Sequence, residues 1–306
     1  PGGGKSTLVN HIATQLARRR RGDENISLTG WPMAKTALPV RIVLRRFADW
    51  LAREGRSGTA GDVWDYLAFL LKRWGCDDSY EGLRHTLINE GGTIFFDGLD
   101  EIPQAEARRD ILKGAVASFA ATEKKCQVVV TSRPYAYSDK EEPNKAQPEV
   151  IWRLPDDQFA VVTLASFGQE QIKAFCQAWY MRVMKPRRGW DETSCQNRAE
   201  WLASTIEKRP HLKRLAESPL LLTLIAQVDS SGPEAMLPNN RADLYRQMVS
   251  LLLARWENRI PLDSRQGDNV PEDVILWLES VPTQDVREVL AERAFTGHEQ
   301  QGQHSA

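Results

Sequence analysis

The chain has 306 residues, of which 42% are hydrophobic, and 40 basic against 41 acidic residues leave a formal net charge of -1. This balance excludes a global electrostatic attraction to nucleic acid or to an anionic membrane, and no stretch reaches the ~18 consecutive apolar residues of a transmembrane helix. The four cysteines, Cys76, Cys126, Cys176 and Cys195, include no C-x-x-C pair, so we expect reduced thiols in a cytoplasmic protein.

The first predicted element is a phosphate-binding loop that leads into a helix. The opening residues "PGGGKSTLVN" match the end of the pattern G-x-x-x-x-G-K-[ST], whose first glycine would precede Pro1. We therefore expect a fragment that begins inside this loop, with the preceding strand upstream. Apolar residues recur at helical spacing at Leu8, Ile12 and Leu16, and Gly22 marks the predicted end of the helix.

The residues of this loop are of the types that bind nucleotide phosphates. Glycines let successive backbone N–H groups curl around phosphate oxygens, and a helix N-terminus adds positive potential. A lysine here can reach the β- and γ-phosphates, and a serine hydroxyl can bind Mg²⁺. A chance glycine-rich turn before a helix is the alternative. The predicted binding residues are Gly2, Gly3, Gly4, Lys5, Ser6 and Thr7, with Ser6 also a metal ligand.

Two strands follow, and the second ends in acidic residues. The run "LPVRIVLRRFADWL" predicts a strand over Val40–Leu44 and then a helix. The run "GGTIFFDGLDEIP" predicts a buried strand over Ile94–Phe96 that ends in Asp97, a carboxylate suited to hold Mg²⁺. Asp100 or Glu101 could orient or deprotonate an attacking water. Alternatively, this acidic pair simply begins the next helix, where acids are common.

The next runs complete an alternation of strands and helices. "QVVVTSRPYAY" predicts a strand over Val128–Val130, and Arg133 at its carboxyl end is placed to sense a γ-phosphate. A surface arginine before a turn set by Pro134 is the alternative. "FAVVTLASFGQEQIKAFCQAW" predicts a strand over Phe159–Leu164 and then a helix. The alternation predicts an α/β fold, with a parallel sheet covered by helices on both faces.

From Asp191 onward the pattern is helical. The apolar residues that mark three predicted helices are Trp201, Leu202 and Ile206, then Leu244, Met248, Leu251 and Leu252, and then Val274, Leu276 and Leu278. Near the end of the first predicted helix, Arg18–Arg21 are four consecutive basic residues. We interpret them as a solvated helix terminus, because no aromatic residues are interleaved as in a nucleic-acid interface.

Three of these runs, "PGGGKST", "TIFFDGLDEIP" and "VVVTSRPYAY", resemble in order and spacing the NACHT class of STAND nucleoside triphosphatases, which includes NOD-like receptors and bacterial antiphage sensors. The D-G-L-D-E form is the most specific of the three. "LAESPLLLTLIAQV" and "LPNNRADLYRQMVSLLLARWENR" look like the helical segment that follows the NACHT nucleotide fold. The resemblance implies a P-loop domain over residues 1–165, a helical domain over 166–260, and the start of a winged-helix or further helical segment over 261–306.

The resemblance also implies ATP or ADP and Mg²⁺ as cofactors. Pro219 matches the proline that packs on the adenine in this family, although a first-turn proline of a helix is the alternative. A guanine-reading N-K-x-D motif is lacking, since "NKAQ" at Asn144–Gln147 has no aspartate. Asp97 would bind the metal, and the catalytic residues would be Asp100, Glu101 and Arg133.

The implied activity is that of a slow ATPase acting as a signalling switch in innate antiphage defence. Such a switch holds ADP in a closed state, exchanges it for ATP when a sensor domain binds a trigger, and then self-oligomerises to unite effector domains. We expect the sensor and effector domains to lie outside this chain, and a phage protein is one candidate trigger. The alternatives are a STAND-type transcriptional regulator, a cycling AAA-like mechanical ATPase, and a scaffold that binds partners without nucleotide.

Overall fold

The structure of the protein is a computed structural model. The described residues are 3–23, 26, 28, 37–101, 106–133, 137, 153–231, 237–258, 285, 288–293 and 295–296. Contacts divide the chain into two compact units, Pro1–Ser166 and Phe167–Ala306, which we name the first and second unit. The predicted helix from Val274 to Leu278 and nearly all of the segment 261–306 lie outside the described residues, as does the NKAQ run.

The first unit alternates strands with helices, as the sequence predicts. Its described helices and strands are α1 (Lys5–Arg20), β1 (Leu38–Val43), α2 (Leu44–Arg53), α3 (Ala60–Arg73), α4 (Tyr80–Asn89), β2 (Gly92–Asp97), α5 (Glu106–Thr122) and β3 (Cys126–Val130). Short 3₁₀ turns lie at Asp77–Ser79 and Leu99–Glu101. The strands form a parallel sheet of order β1-β2-β3, which confirms the predicted α/β class.

The middle strand of this sheet is the most deeply buried element. All six residues of β2 are buried, because β1 and β3 flank it and helices cover both of its faces. Phe95 packs against α1 on one face, whereas Ile94 and Phe96 belong to the core formed with α2, α3 and α5 on the other. Alternation of side chains along a strand produces this division. The predicted cover of helices on both faces is therefore confirmed.

The buried stripe of α1 differs from the predicted one by a single residue. Val9, Ile12 and Leu16 are buried, whereas Leu8 is 39% exposed. Positions 9, 12 and 16 follow the three- and four-residue spacing of one helix face, and Leu8 lies about 100° away from Val9 around the axis. The predicted end of the helix is confirmed, since α1 stops at Arg20 and Gly22 adopts a positive φ of 92°.

The strand predicted at Phe159–Leu164 does not form. These residues have no regular secondary structure and pair with none of β1, β2 and β3, and Val162 is 89% exposed. The sequence is rich in strand-forming residues, but a strand is stabilised by its ladder and by burial against neighbours rather than by propensity alone. Without a paired neighbour, this apolar run stays irregular, and the predicted strand is wrong for the described structure.

The second unit is helical in its described part. Its elements are α6 (Gln169–Ala178), a π-helical turn (Trp179–Met184), α7 (Lys185–Arg188), α8 (Glu192–Lys208), α9 (Pro210–Ala216), α10 (Pro219–Asp229) and α11 (Arg241–Asn258). Leu202, Ile206, Leu244 and Met248 are buried, as predicted. Trp201 is instead half exposed beneath a guanidinium, so the predicted stripe of α8 is correct at two of its three positions.

A buried charge links three elements of this helical unit. The Asp229 carboxylate accepts hydrogen bonds from Arg198 Nε at 3.0 Å and Nη2 at 2.7 Å, and from the Tyr180 hydroxyl. Burial and the Asp229 carboxylate raise the pKa of Tyr180, so the phenol remains a hydrogen-bond donor at neutral pH. The Arg198 guanidinium also lies 4.2 Å from the centroid of the Trp201 ring. The π-helical turn, α8 and α10 are thereby held to one another.

Removal of the carboxylate that caps α3 will destabilise the protein. Asp62 is buried and accepts the N–H groups of Gly58 at 3.0 Å and Thr59 at 2.7 Å, as well as the Thr59 hydroxyl. We predict that Asp62→Ala lowers the free energy of unfolding by about 1–3 kcal/mol, because these donors lose their acceptor. Urea unfolding followed by tryptophan fluorescence will measure the change. Asp65→Ala, which removes an exposed partner of Arg56, is the control and should change stability by less than about 0.5 kcal/mol. Equal losses in the two variants would contradict the prediction.

Candidate functional site

The candidate site lies where the N-terminus of α1 meets the carboxyl ends of β2 and β3. Gly4 precedes α1 in a left-handed conformation (φ 79°, ψ 13°), which an L side chain rarely adopts. Of the other predicted loop residues, Gly3 precedes Gly4, and Lys5, Ser6 and Thr7 form the first turn of α1, whereas Gly2 lies outside the described residues. The first N–H groups of a helix have no intrahelical acceptor, so they are available to an anion.

Electrostatics at this helix terminus favour a negative ligand. The first turn of α1 contains no acidic residue, and three arginines occupy its last turn. Lys5 is half-buried, and within the described part of the chain no carboxylate forms an ion pair with it. The helix dipole and the Lys5 ammonium therefore act together on one small region. At the opposite end of α1, Arg18 of the basic run pairs with Asp23 at 2.7 Å.

Asp97 is the best connected side chain of the site. It is the last residue of β2, only 4% exposed, and strand alternation directs it to the face covered by α1. Its Oδ1 accepts the Ser6 hydroxyl at 3.1 Å and the Thr131 hydroxyl at 2.7 Å. Its Oδ2 accepts Nη2 of Arg41 at 2.7 Å. The structure thus brings together Ser6 and Asp97, the two predicted metal ligands.

Two of the partners of Asp97, Thr131 and Arg41, were not assigned a role from the sequence. Thr131 follows β3 directly, and its hydroxyl also accepts the Gly98 N–H at 2.9 Å, so one side chain fixes both Asp97 and the turn after it. Arg41 is paired in register with Phe95, which places both on the α1 face. A single charge inside the apolar run "LPVRIV" was the available signal.

Asp100 and Arg133, predicted as separate catalytic residues, form a pair. Oδ2 of Asp100 lies 3.0 Å from Nε of Arg133, and Oδ1 accepts the Arg133 backbone N–H at 2.9 Å. The Asp100 side chain is 4% exposed, and that of Arg133 is 37% exposed. A carboxylate held in this way orients the arginine, whose side chain is partly exposed. Asp100 therefore positions Arg133 in this structure.

Glu101 differs from its acidic neighbour in being exposed. It ends the 3₁₀ turn Leu99–Glu101, and the described part of α5 begins at Glu106. Gly98 has a positive φ of 87°, and a Cβ atom placed on it would lie 3.0 Å from Oε2 of Glu101. The Glu101 carboxylate therefore folds back beside Gly98, the residue that follows Asp97. Of the two acids, Glu101 is the more accessible to a water molecule.

The donor set around Asp97 fits a hard divalent cation. A carboxylate and two hydroxyls supply oxygen atoms, which Mg²⁺ prefers. Among the described residues, no cluster of three or more His, Cys, Asp and Glu side chains could hold a metal by itself. A cation at Asp97 would thus complete its coordination with water or with phosphate oxygens.

The remaining predicted features are a proline at the start of a helix and four cysteines. Pro219 begins α10, and the Thr223 hydroxyl donates to its carbonyl at 2.8 Å, as suits a first-turn proline. The adenine contact remains a prediction. The four cysteines are free, and burial raises the pKa of Cys126 to about 11 and that of Cys176 to about 12. These two thiols are therefore protonated at neutral pH and are unsuited to nucleophilic catalysis.

Comparison of the chain with models of protein families, with curated proteins and with solved structures finds no match. In the described part of the chain, the helices also include none with the length and apolar character that crossing a membrane requires. The geometry around Asp97 therefore carries the functional conclusion.

Loss of the Thr131 hydroxyl will loosen the end of β2. We predict that Thr131→Val increases amide hydrogen exchange at Gly98, because the Gly98 N–H loses its acceptor. Hydrogen-exchange mass spectrometry of a peptide that spans residues 93–101 will report the change. Thr131→Ser keeps the hydroxyl and should retain the protection of the unmodified protein. Unchanged exchange in Thr131→Val would contradict the role of this hydrogen bond.

Proposed function

We propose that the chain is the nucleotide-binding part of an ATP- and ADP-dependent switch with slow ATP hydrolysis. The observation that carries the proposal is the hydrogen bond of Ser6, which follows Lys5 at a helix N-terminus, to the buried Asp97 at the end of a parallel strand. A phosphate group bound here would accept N–H groups of α1 and the Lys5 ammonium, and its cation would bind the Ser6 hydroxyl and the Asp97 carboxylate. The parallel-sheet edge is where α/β folds place their ligands.

The same edge holds residues for hydrolysis. When bound, Mg²⁺ would neutralise phosphate charge, with Ser6 and Asp97 as its protein ligands. Glu101, exposed and with its carboxylate beside Gly98, is the residue that we propose orients water or accepts its proton. Arg133 is held by Asp100 and its side chain is partly exposed, which suits a group that contacts the γ-phosphate. These roles refine the predicted acidic pair: Glu101 acts on water, and Asp100 positions the arginine.

We also propose that ATP and ADP favour different conformational states of the protein. A nucleotide shifts a conformational equilibrium only by contacting two states differently, and the ion pair between Asp100 and Arg133 is a contact that a γ-phosphate would compete with. ADP, which lacks that phosphate, would leave the pair intact. We propose on this basis that ATP, and not ADP, favours the state that self-oligomerises after a trigger is recognised, in antiphage defence.

The proposal is tested first by nucleotide binding. We predict that Lys5→Ala weakens the binding of a fluorescent ADP analogue, in the presence of Mg²⁺, by about 10–100-fold, since one charge-assisted contact to phosphate is lost. Lys72→Ala, in the last turn of α3, removes an equal charge away from the site and should leave the affinity unchanged. Fluorescence anisotropy titrations will provide both dissociation constants. A protein that binds no nucleotide, or a Lys5→Ala variant with unchanged affinity, would overturn the proposal.

Hydrolysis tests the division of roles between the two acids. We predict that Glu101→Gln lowers the single-turnover rate of ATP hydrolysis by about 10²–10⁴-fold, the usual contribution of a general base, while the affinity for ATP stays within about twofold. The matched control is Glu54→Gln, which neutralises the exposed residue just after α2. The rate is followed by release of labelled phosphate under saturating protein. Hydrolysis at the unmodified rate in Glu101→Gln would show that this residue does not act on water.

A further inference from the structure

We propose that Arg41 is an internal counter-ion of Asp97 that opposes the binding of a free divalent cation and is released when a nucleotide polyphosphate arrives with the cation. The inference rests on the proposed function, because it takes Asp97 as the cation-binding carboxylate. It also specifies the species that the site accepts, which is a complex of a cation with a polyphosphate. A free cation alone is disfavoured.

The first step is the occupation of both oxygens of Asp97. Oδ1 accepts hydroxyls from Ser6 and Thr131, and Oδ2 accepts Arg41 at 2.7 Å. A hydroxyl can rotate and offer a lone pair to a cation, but a guanidinium has only donors. Mg²⁺ requires oxygen ligands at about 2.0–2.1 Å in near-octahedral geometry. Arg41 is therefore the partner of Asp97 that a cation would have to replace.

The second step follows from burial. Asp97 is 4% exposed, and a carboxylate in such a position needs a compensating charge. Removing the partner of a buried charge is strongly unfavourable unless another charge takes its place. The Arg41 side chain is 34% exposed and makes its contact to Asp97 through one terminal nitrogen. Arg41 can thus turn toward solvent, provided that a cation supplies the charge that Asp97 loses.

The third step identifies the groups that the released Arg41 would contact. Arg41 lies on the face of the sheet covered by α1, the helix whose N-terminus carries Lys5 and Ser6. A polyphosphate bound at that terminus presents anionic oxygens on the same face, and guanidinium pairs well with phosphate. Without a polyphosphate, the cation and Arg41 compete for one oxygen and repel each other. With a polyphosphate present, the divalent cation contacts Asp97 and phosphate oxygens, and the Arg41 guanidinium contacts other phosphate oxygens. The cation and the nucleotide therefore bind with positive coupling.

The test is a titration with Mn²⁺, a spectroscopic substitute for Mg²⁺, in the absence of nucleotide. Free Mn²⁺ is measured by electron paramagnetic resonance. We expect Arg41→Met to bind Mn²⁺ at least about tenfold more tightly than the unmodified protein, because a positive charge next to the cation is removed. Arg53→Met, which removes an arginine from the end of α2, should have no effect. The double variant of Arg41→Met with Asp97→Asn should lose the gain.

A second arm repeats the titration with saturating ADP, where the advantage of Arg41→Met should shrink or reverse. Equal affinity of Arg41→Met and the unmodified protein for Mn²⁺ alone, including no binding to either, would overturn the inference, and so would weaker binding by the variant. If Arg41→Met does not fold, Arg41→Gln is neutral and keeps hydrogen-bonding capacity, and it must give the same result. Failure of the proposed function is distinguishable, because the unmodified protein would then not bind the fluorescent ADP analogue in the anisotropy titration.

Discussion

The burial of one carboxylate, Asp97, is the constraint on which the rest of the site depends. A charge at 4% exposure must be compensated, and here the compensation comes from three different elements: Ser6 of α1, Arg41 of β1 and Thr131 after β3. The cost of burying Asp97 thus fixes the helix terminus and both flanking strands around the end of β2. The helix terminus proposed to bind phosphate and the carboxylate proposed to bind a cation are brought together by the same hydrogen bonds.

The parallel register of β2 and β3 determines which residues meet beyond the strands. Phe96 is paired with Val130, so the next residues, Asp97 and Thr131, are adjacent and form a hydrogen bond. Continuing outward, the turn after Asp97 places Asp100 against Arg133. Each pair joins one residue from the acidic run to one from the run after β3. A slip of one residue would reverse the faces and separate both pairs.

Much of this arrangement is predictable from local sequence, and the limits have a physical cause. The elements α1, β1, β2 and β3 follow from apolar periodicity, and Ser6 and Asp97 follow from the chemistry of phosphate and metal binding. Arg41 was missed because its role depends on which strand lies beside β2, a long-range pairing that no local pattern contains. Phe159–Leu164 was wrongly predicted as a strand for the same reason, since apolar composition does not supply a neighbour.

Two of the buried aspartates, Asp97 and Asp229, show why Arg41 is exchangeable where another arginine is not. Asp229 receives two nitrogens of Arg198 and the Tyr180 hydroxyl, and Arg198 is further held over the Trp201 ring. Loss of any partner there leaves a buried charge without a replacement, which is the mark of a structural ion pair. Asp97 receives a single guanidinium nitrogen, and its other partners are hydroxyls that can bind a cation as readily as donate to a carboxylate. Because of this difference in contacts, the pair of Asp229 and Arg198 is structural, whereas the pair of Asp97 and Arg41 is exchangeable.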